Sequence, residues 1–198
     1  PAALAELRDR EREFCASCHA QDELIWLESS NLIKGRSLAG FGVHPQEPDP
    51  SLLPFLDSCA RTGRIGAIGE CGLDFYGGRY DEDLQGAMFR FQVNLAADTG
   101  LPLILHCRSA MDGIFDMAKS LARAKAVVFH SWPGSPGEAF AFLRKGVNMY
   151  FSFCSVLVNG KKSAMASCAA LPEDRLLAET DAPWQPPGKA ALSRPSDI

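Results

Sequence analysis

Five ionisable residues stand at or near the ends of short apolar runs in this chain, and their types are those of metal ligands and acid–base groups. They are His44, Glu70, His106, His130 and Asp181. Imidazole nitrogens and carboxylate oxygens form a hard-to-borderline donor set that suits Zn²⁺, Mn²⁺ or Mg²⁺. Singly, each has an ordinary structural interpretation as a hydrogen-bonded His, a helix-capping Glu or a turn Asp. Their recurrence along successive runs favours a metal site.

A second candidate is the segment CASCH at 15–19, which matches the attachment sequence of a c-type haem. Covalent haem needs both thiols on an accessible loop, whereas Cys15 falls within an apolar run and is expected to be a small buried side chain. The C-x-x-C spacing also fits a redox pair, but no thioredoxin-like pattern surrounds it. The sequence therefore predicts no haem, with His19 in the turn beyond the run.

The apolar runs alternate with amphipathic stretches, as expected of repeated strand–helix units. The predicted strands cover 12–17, 37–44, 65–74, 101–108, 126–132, 147–153 and 175–183. The predicted helices cover 21–34, 51–62, 81–100, 110–124, 135–145 and 161–170. The clearest helix, over 81–100, has Leu84, Met88 and Leu95 on one side and ends at Gly100. Strict alternation of strand and helix predicts a parallel α/β sheet.

The alternation of side chains along each strand decides between an open sheet and a barrel. His106 shares a face with Ile104, while Leu103 and Leu105 point to the opposite face, which suits packing under helices. An open parallel sheet gathers its site at one switch point, whereas a barrel gathers residues from many strand ends. Five strands with inward ionisable ends therefore predict an α/β fold of the TIM-type (β/α) barrel, as one domain over 1–198.

Composition limits the classes of protein to which the chain can belong. Its 198 residues, 46% of them apolar, suffice for one core. The net charge of −4 argues against a broad basic face for nucleic acid, although it allows contact with a few phosphates. No apolar run is long enough to span a bilayer, and the opening PAALAELRDRERE has no secretory apolar region. The seven cysteines, an odd number, are interpreted as reduced thiols of a cytoplasmic protein.

Several segments together resemble the successive motifs of the TatD family of metal-dependent deoxyribonucleases. They are GVHP at 42–45, IGECGLDFY at 68–76, PLILHCR at 102–108, FHSWPGS at 129–135 and LLAETDAP at 176–183. The resemblance extends from about residue 12 to 188, and the motifs agree in order, spacing and strand context. It implies a metal-dependent hydrolase on a TIM barrel, within the wider amidohydrolase-like group.

The resemblance also implies a role for each candidate residue. Glu70 would bridge two divalent metals, with His106 and His130 holding one of them and Asp181 the other. His44 would lie beside the site, where it would touch substrate or support the metal ligands rather than bind metal itself. Asp181 is further expected to orient or deprotonate the attacking water, so that Asp181 and Glu70 are the expected catalytic carboxylates.

Further residues near these motifs are candidates for substrate contact. Arg108 shares the inward face with His106, where it would meet a phosphate oxygen or form a salt bridge at the barrel rim. Tyr76 follows the glutamate motif and is expected to line the cleft. Lys161 and Lys162, after the sixth strand, either guide a nucleic-acid backbone or are a solvated pair.

One departure from the family's pattern concerns the start of the chain. The family begins with a strand ending in Asp-x-His-x-His, and nothing here matches it, since the only His before position 44 is His19. We therefore expect a barrel that lacks its first strand and its closing C-terminal helix, in a natural protein that is longer at both ends. The barrel should have a gap between the strands at 12–17 and 175–183. The site would take one or two divalent ions, and we expect no more than one of them to bind tightly.

The expected function is metal-dependent hydrolysis of phosphodiester bonds, in the manner of a TatD-type deoxyribonuclease with 3'-5' exonuclease-like action. DNA or a small phosphodiester is the expected substrate, and no membrane partner is expected. One alternative is an amidohydrolase-type C–N or lactone hydrolase, which would call for a ligating Lys at a strand end, and no predicted strand ends in Lys. The other is a non-catalytic barrel scaffold that has lost its first metal-binding motif.

Overall fold

A computed structural model describes residues 13–35 and 37–197, and its centre is one parallel sheet. The strands are β1 (Cys15–Cys18), β2 (Leu38–Phe41), β3 (Ala67–Asp74), β4 (Leu103–Arg108), β5 (Val127–Phe129), β6 (Met149–Phe153) and β7 (Leu176–Ala178). Each strand pairs in parallel with the next along the chain, in the order β1 to β7. Sequential parallel strands joined by helical crossovers form the wall of a TIM-type barrel, which confirms the predicted fold class.

Helices connect these strands in the described residues. They are α1 (Gln21–Ser29), α2 (Leu53–Thr62), α3 (Glu82–Thr99), α4 (Met111–Asp116), α5 (Ala118–Leu121), α6 (Pro136–Arg144) and α7 (Lys162–Ala170). The single helix predicted over 110–124 is divided into α4 and α5, because the Met117 N–H bonds the Ile114 carbonyl in a tighter i to i+3 turn. None of the described helices is both long and apolar enough to pass through a membrane.

The hydrophobic core lies between the sheet and these helices. Leu103 and Leu105 of β4 are fully buried, as the alternation of side chains predicts. Trp132, just after β5, is also fully buried and packs edge-on against Phe129 with ring centres 4.6 Å apart. Its indole Nε1–H donates a hydrogen bond of 3.1 Å to Ser167 Oγ of α7. The loop that follows β5 is therefore anchored to a helix of the outer layer.

The sheet is curled but has two unpaired edges in the part of the chain that the structure describes. There β1 pairs only with β2, and β7 pairs only with β6, so the predicted gap between these strands is present. The missing first strand, the missing closing helix and the single domain over 1–198 stay predictions, because residues 1–12 lie outside the described residues.

Candidate metal centre

Glu70 lies on β3 where that strand is pressed against β4. The pairing shifts between Ile68 and Cys71, so that β3 carries one residue more than β4 across this step. The neighbouring Gly72 has φ +144°, and a Cβ there would overlap the carbonyl oxygen of His106. Only glycine allows the two backbones to approach so closely. The GECG sequence thus brings the Glu70 carboxylate beside His106 of β4.

The Glu70 carboxylate faces imidazoles from three different strand ends. Its Oε2 lies 3.8 Å from His44 Nε2, 3.8 Å from His106 Nδ1 and 3.8 Å from His130 Nε2. His130 Nε2 is also 3.6 Å from Asp181 Oδ1. The structure therefore brings all five sequence-predicted residues together at the carboxyl ends of the strands.

These donors form two groups in which the ligand atoms lie within 4.8 Å of one another, namely His44–Glu70–His106 and Glu70–His130–Asp181. Glu70 belongs to both groups, as expected of a bridging carboxylate. The histidines are divided differently from the expectation, because His106 is grouped with His44 and His130 with Asp181. His44 thus lies within ligand distance instead of only beside the site, and the assignment of ligands to ions stays a prediction.

A carboxylate stands behind two of the imidazoles. Asp74 Oδ2 is 3.1 Å from His106 Nε2, and Glu179 Oε2 is 2.9 Å from His130 Nδ1. In both cases the opposite ring nitrogen faces Glu70. Metal-binding histidines are oriented in this way, since the outer carboxylate fixes the ring and increases the basicity of the nitrogen that meets the ion. The donor chemistry therefore fits a divalent metal ion.

Two buried glutamines of α3 hold the strand ends that carry these residues. Gln92 accepts the Val43 N–H at 2.8 Å and donates to the Val43 carbonyl at 3.1 Å, next to His44. Gln85 accepts the Asp74 N–H at 2.8 Å and donates to the Asp74 carbonyl at 2.9 Å. Each carboxamide satisfies both the N–H and the carbonyl of one residue, namely Val43 just beyond β2 and Asp74 at the end of β3. The helix thereby positions one candidate ligand and one supporting carboxylate.

Asp181 lies in the loop after β7 and is held by a different amide. Gln185 Nε2 donates to Asp181 Oδ2 at 2.6 Å and to Ser131 Oγ at 2.9 Å. Cys154 Sγ lies 3.3 Å from Gln185 Oε1, on the other side of the carboxamide. Because β7 ends at Ala178, these side-chain bonds, rather than a strand ladder, fix the Asp181 carboxylate.

The charges of the site change one another's ionisation. Burial opposes ionisation of Glu70, but the nearby imidazoles of His106 and His130 outweigh burial and hold the pKa of Glu70 at about 2. Burial, with His106 adding to it, lowers the pKa of His44 to about 4. Burial also opposes protonation of His130, yet Glu179 raises the pKa of His130 to about 10. Burial raises the pKa of Asp181. Glu70 is thus ionised at neutral pH, and the acidic groups around His130 favour positive charge at that position.

The last residue of the CASCH segment reaches the rim of this site. The His19 and His44 ring centres are 5.1 Å apart, and His19 Nδ1 lies 3.2 Å from the Gly42 carbonyl. Cys18 is buried. Cys15 is exposed as a residue, on a strand that is an edge among the described residues, but burial raises the pKa of its thiol to about 11, so the thiol itself is shielded from water.

Arg108 and Tyr76, both predicted to contact substrate, are neighbours. The Arg108 guanidinium carbon lies 3.5 Å from the centre of the Tyr76 ring. No carboxylate of residues 13–35 or 37–197 lies within ion-pair distance of Arg108, so the alternative of a rim salt bridge is not realised there. Lys161 lines a cleft together with Tyr76 and Arg108. Lys161 and Lys162 are both exposed, and Lys162 is the first residue of α7.

Sequence reasoning missed four residues of the site: His19, Asp74, Glu179 and Gln185. The alternation of side chains along a strand could have identified two of them. Asp74 is four residues after Glu70 and Glu179 is two residues before Asp181, so each is predicted to share a face with a candidate ligand. His19 likewise directly follows β1. Gln185 had no such pattern, since it belongs to an irregular loop and meets Ser131 across 54 residues of sequence.

The sequence matches the family model described as TatD related DNase over residues 2–197. The 3'-5' ssDNA/RNA exonuclease TatD of Erwinia tasmaniensis is 35% identical over 147 residues, which are 72% of this chain and 57% of that protein. An uncharacterized metal-dependent hydrolase of Bacillus subtilis, YabD, is 31% identical over 154 residues, 75% of this chain and 60% of that protein. The chain spans little more than half the length of these curated relatives.

Two solved structures are similar in fold. YJJV, a TatD homologue from Escherichia coli k12, superposes with a TM-score of 0.81 at 24% identity, over 98% of this chain and 78% of its own. An uncharacterized amidohydrolase from Saccharomyces cerevisiae superposes with a TM-score of 0.71 at 19% identity, over 94% of this chain and 69% of its own. At these identities the likeness is one of fold alone.

Proposed function

This chain belongs to the TatD related DNase family, and on that premise we propose that it hydrolyses phosphodiester bonds of nucleic acid with divalent metal ions. The observation that carries the proposal is the Glu70 carboxylate, which faces three imidazoles at 3.8 Å each. An ionised carboxylate surrounded by imidazoles is a donor set for a cation. Two of these imidazoles are also oriented by a second carboxylate on the opposite ring nitrogen, as in known metal sites. DNA, RNA or a small phosphodiester is the proposed substrate.

The proposed ligands are those of the two donor groups, His44–Glu70–His106 and Glu70–His130–Asp181. Mixed nitrogen and oxygen donors favour Zn²⁺ or Mn²⁺, while Mg²⁺ prefers oxygen donors and retained water. When bound, such ions supply positive charge for the phosphoryl oxygens and activation of water. One or two ions per chain are proposed, according to whether one group or both are filled.

The protein's own residues contribute positioning and proton transfer in this proposal. Asp181 Oδ2 is held by Gln185 while Oδ1 faces His130, which leaves the carboxylate oriented to accept a proton from the attacking water. The guanidinium donors of Arg108, which no acceptor among residues 13–35 and 37–197 engages, are placed to bind a phosphoryl oxygen, and Tyr76 shapes the cleft beside it. We further propose one barrel domain over residues 1–198 and a cytoplasmic location, the latter supported by seven unpaired cysteines.

The test is a nuclease assay on the purified 198-residue chain. Metal is removed with a chelator, and Mg²⁺, Mn²⁺ or Zn²⁺ is added back to a 5'-labelled single strand or duplex. We expect stepwise shortening from the 3' end that requires added metal and falls at least about 100-fold in Glu70→Gln. Asp57→Asn, on the outer helix α2 and away from the donor groups, is the matched control and should retain the full rate.

Two results would contradict the proposal. The first is nuclease activity that survives both the chelator and Glu70→Gln, since it would belong to a contaminant or to another site. The second is hydrolysis of amide or lactone substrates with no cleavage of any phosphodiester, which would favour amidohydrolase chemistry in the same cavity.

A further inference from the structure

A cleft of about 590 Å³ opens at the ends of β3 and β4, and the residues that directly follow Asp74 and His106 line it. The side chains that matter here are Tyr76, Arg108, Asp112 and Lys161. Two of them are cations and one is a carboxylate, so the cleft has a net positive charge on an acidic chain. Its volume lies in the range of pockets that take a small organic ligand such as one nucleotide.

Tyr76 and Arg108 form a stacked pair at the mouth of this cleft. The guanidinium lies 3.5 Å above the ring, and Tyr76 is nevertheless 62% exposed. Within the described ranges no protein acceptor engages the Arg108 guanidinium. A guanidinium in cation–π contact with a ring can still donate hydrogen bonds to an anion from its N–H groups. The pair therefore presents a free cationic edge and an accessible aromatic surface together.

Both members of the pair are tied to the metal-site residues. Asp74, which is almost fully buried, accepts the Tyr76 N–H on Oδ1 at 3.0 Å and meets His106 Nε2 with Oδ2 at 3.1 Å. Arg108 follows His106 by two residues on β4 and so shares its side of the strand. One carboxylate and one strand thus hold the stacked pair in fixed relation to a proposed metal ligand.

We propose that Tyr76, Arg108 and Lys161 form a subsite for the nucleotide next to the cleaved phosphodiester. An unpaired base stacks on Tyr76, and its phosphate is bound by Arg108 and Lys161. This inference rests on the proposed function and adds that the site recognises an unpaired nucleotide of the substrate. Stacking needs a free base face, which a base inside a duplex does not offer, and it accepts every base because each has a π face. The subsite therefore selects an unpaired end without selecting its sequence.

The test measures binding, so that it does not depend on turnover. Fluorescence anisotropy of a labelled single-stranded oligonucleotide is recorded with chelator present, for wild type, Tyr76→Ala and Tyr76→Phe. We expect Tyr76→Ala to raise Kd roughly 5- to 100-fold, as for loss of one stacked base, and Tyr76→Phe to stay within about 2-fold. Trp26→Ala removes an exposed aromatic of the outer helix α1 and should leave Kd unchanged.

A series of oligonucleotides with one abasic residue identifies the stacked position. At that position the penalty of Tyr76→Ala should disappear, because wild type and variant then lack the same contact. Arg108→Ala should weaken binding of intact and abasic strands alike and reduce the slope of log Kd against log salt concentration by about 1. Equal penalties for Tyr76→Ala on intact strands and on every abasic strand would overturn the stacking role.

Hydrolysis with Mn²⁺ of a strand whose 3'-terminal residue is abasic separates this inference from the proposed function. That end has no base to stack, so Tyr76→Ala should slow its turnover by a smaller factor than turnover of the intact strand, while Trp26→Ala should change neither rate. If the chain hydrolyses no phosphodiester, the proposed function fails while the binding data still decide the subsite. If it hydrolyses phosphodiesters but Tyr76→Ala binds single strands like wild type, the subsite is overturned and the function stands.

Discussion

Gln185 Nε2 and Asp181 Oδ2 are joined by a hydrogen bond of 2.6 Å, and the same amide nitrogen donates to Ser131 Oγ at 2.9 Å. Asp181 stands in a loop with φ +54°, outside the strand ladder. The carboxylate that faces His130 is therefore oriented by a glutamine four residues away. Gln185 acts through Asp181 and is a positioning residue.

Gln185→Leu should weaken metal binding at the group that contains Asp181. Leucine keeps most of the side-chain volume but removes both hydrogen bonds, so that the carboxylate is free to rotate away from His130. Loss of a residue that orients a ligand typically lowers metal affinity by about 10- to 100-fold. Titration calorimetry with Mn²⁺ measures the change directly.

Asn159→Ala is the matched control for this variant. Asn159 bonds to Ser155, to the Pro186 carbonyl and to Gly188, so it supports the same loop without touching Asp181. If Asn159→Ala weakens the metal as much as Gln185→Leu, the effect comes from the loop as a whole. The positioning role of Gln185 would then be rejected.

Substitutions at His44, His130 and Glu70 should separate the two donor groups. His44→Ala removes a donor from one group and His130→Ala from the other, so each should abolish one binding step in a Zn²⁺ or Mn²⁺ titration. Glu70→Gln should weaken both steps, because Glu70 belongs to both groups. Circular dichroism checks that each variant is folded. A single binding step weakened equally by His44→Ala and His130→Ala would show that the donors act as one site.

Gly72→Ala should destabilise the fold severely. A methyl group at this position would overlap the His106 carbonyl oxygen, and φ +144° is strained for any residue with a Cβ. We expect a loss of at least about 3 kcal/mol in the free energy of unfolding. Gly86→Ala, inside α3, meets only the flexible end of Arg90 and should stabilise by about 0.5–1 kcal/mol. Urea denaturation compares the two, and equal stabilities would contradict the close approach of β3 and β4.

The pair of Glu28 and Arg64 predicts a pH-dependent contribution to stability. Two hydrogen bonds from Arg64, of 2.9 and 2.8 Å, lower the pKa of Glu28 below its ordinary value of 4.5. A carboxyl group whose pKa is lowered by folding stabilises the fold at pH values above its ordinary pKa. This stabilisation is lost as the pH falls through the folded-state pKa. Glu28→Gln should therefore cost about 0.5 kcal/mol at pH 7 and progressively less below pH 4.5, in urea denaturation. A cost that does not change with pH would assign the contribution of Glu28 to packing.

Local patterns predicted the strands and the direction of their side chains. Leu103 and Leu105 are fully buried while His106 faces Glu70, because a strand alternates its side chains whatever surrounds it. Gly100 ends α3 in a left-handed conformation, as glycine after an amphipathic stretch predicts. These features depend on residues close in sequence, and a sequence alone contains that information.

The grouping of donors depended instead on geometry between distant elements. The pairing shift between Ile68 and Cys71 decides which imidazoles Glu70 meets, and it arises from the contact of β3 with β4. No proline marks the division of the predicted helix at Met117. Gln185 bonds to Asp181 and Ser131 only because their loops lie next to each other in the folded chain. Such relations are set by tertiary packing, which a pattern within one segment does not record.

Because the Glu70 carboxylate belongs to both donor groups, the proposed binding of an ion at either group would be thermodynamically linked to binding at the other. Linkage is reciprocal, so the first cation changes the affinity for the second by the same factor as the second changes that for the first. Two cations that share one carboxylate repel each other, so binding of the first would weaken binding of the second. Across a wide range of free-ion concentrations the chain would hold a single ion, and the second would load only as the free-ion concentration rises further.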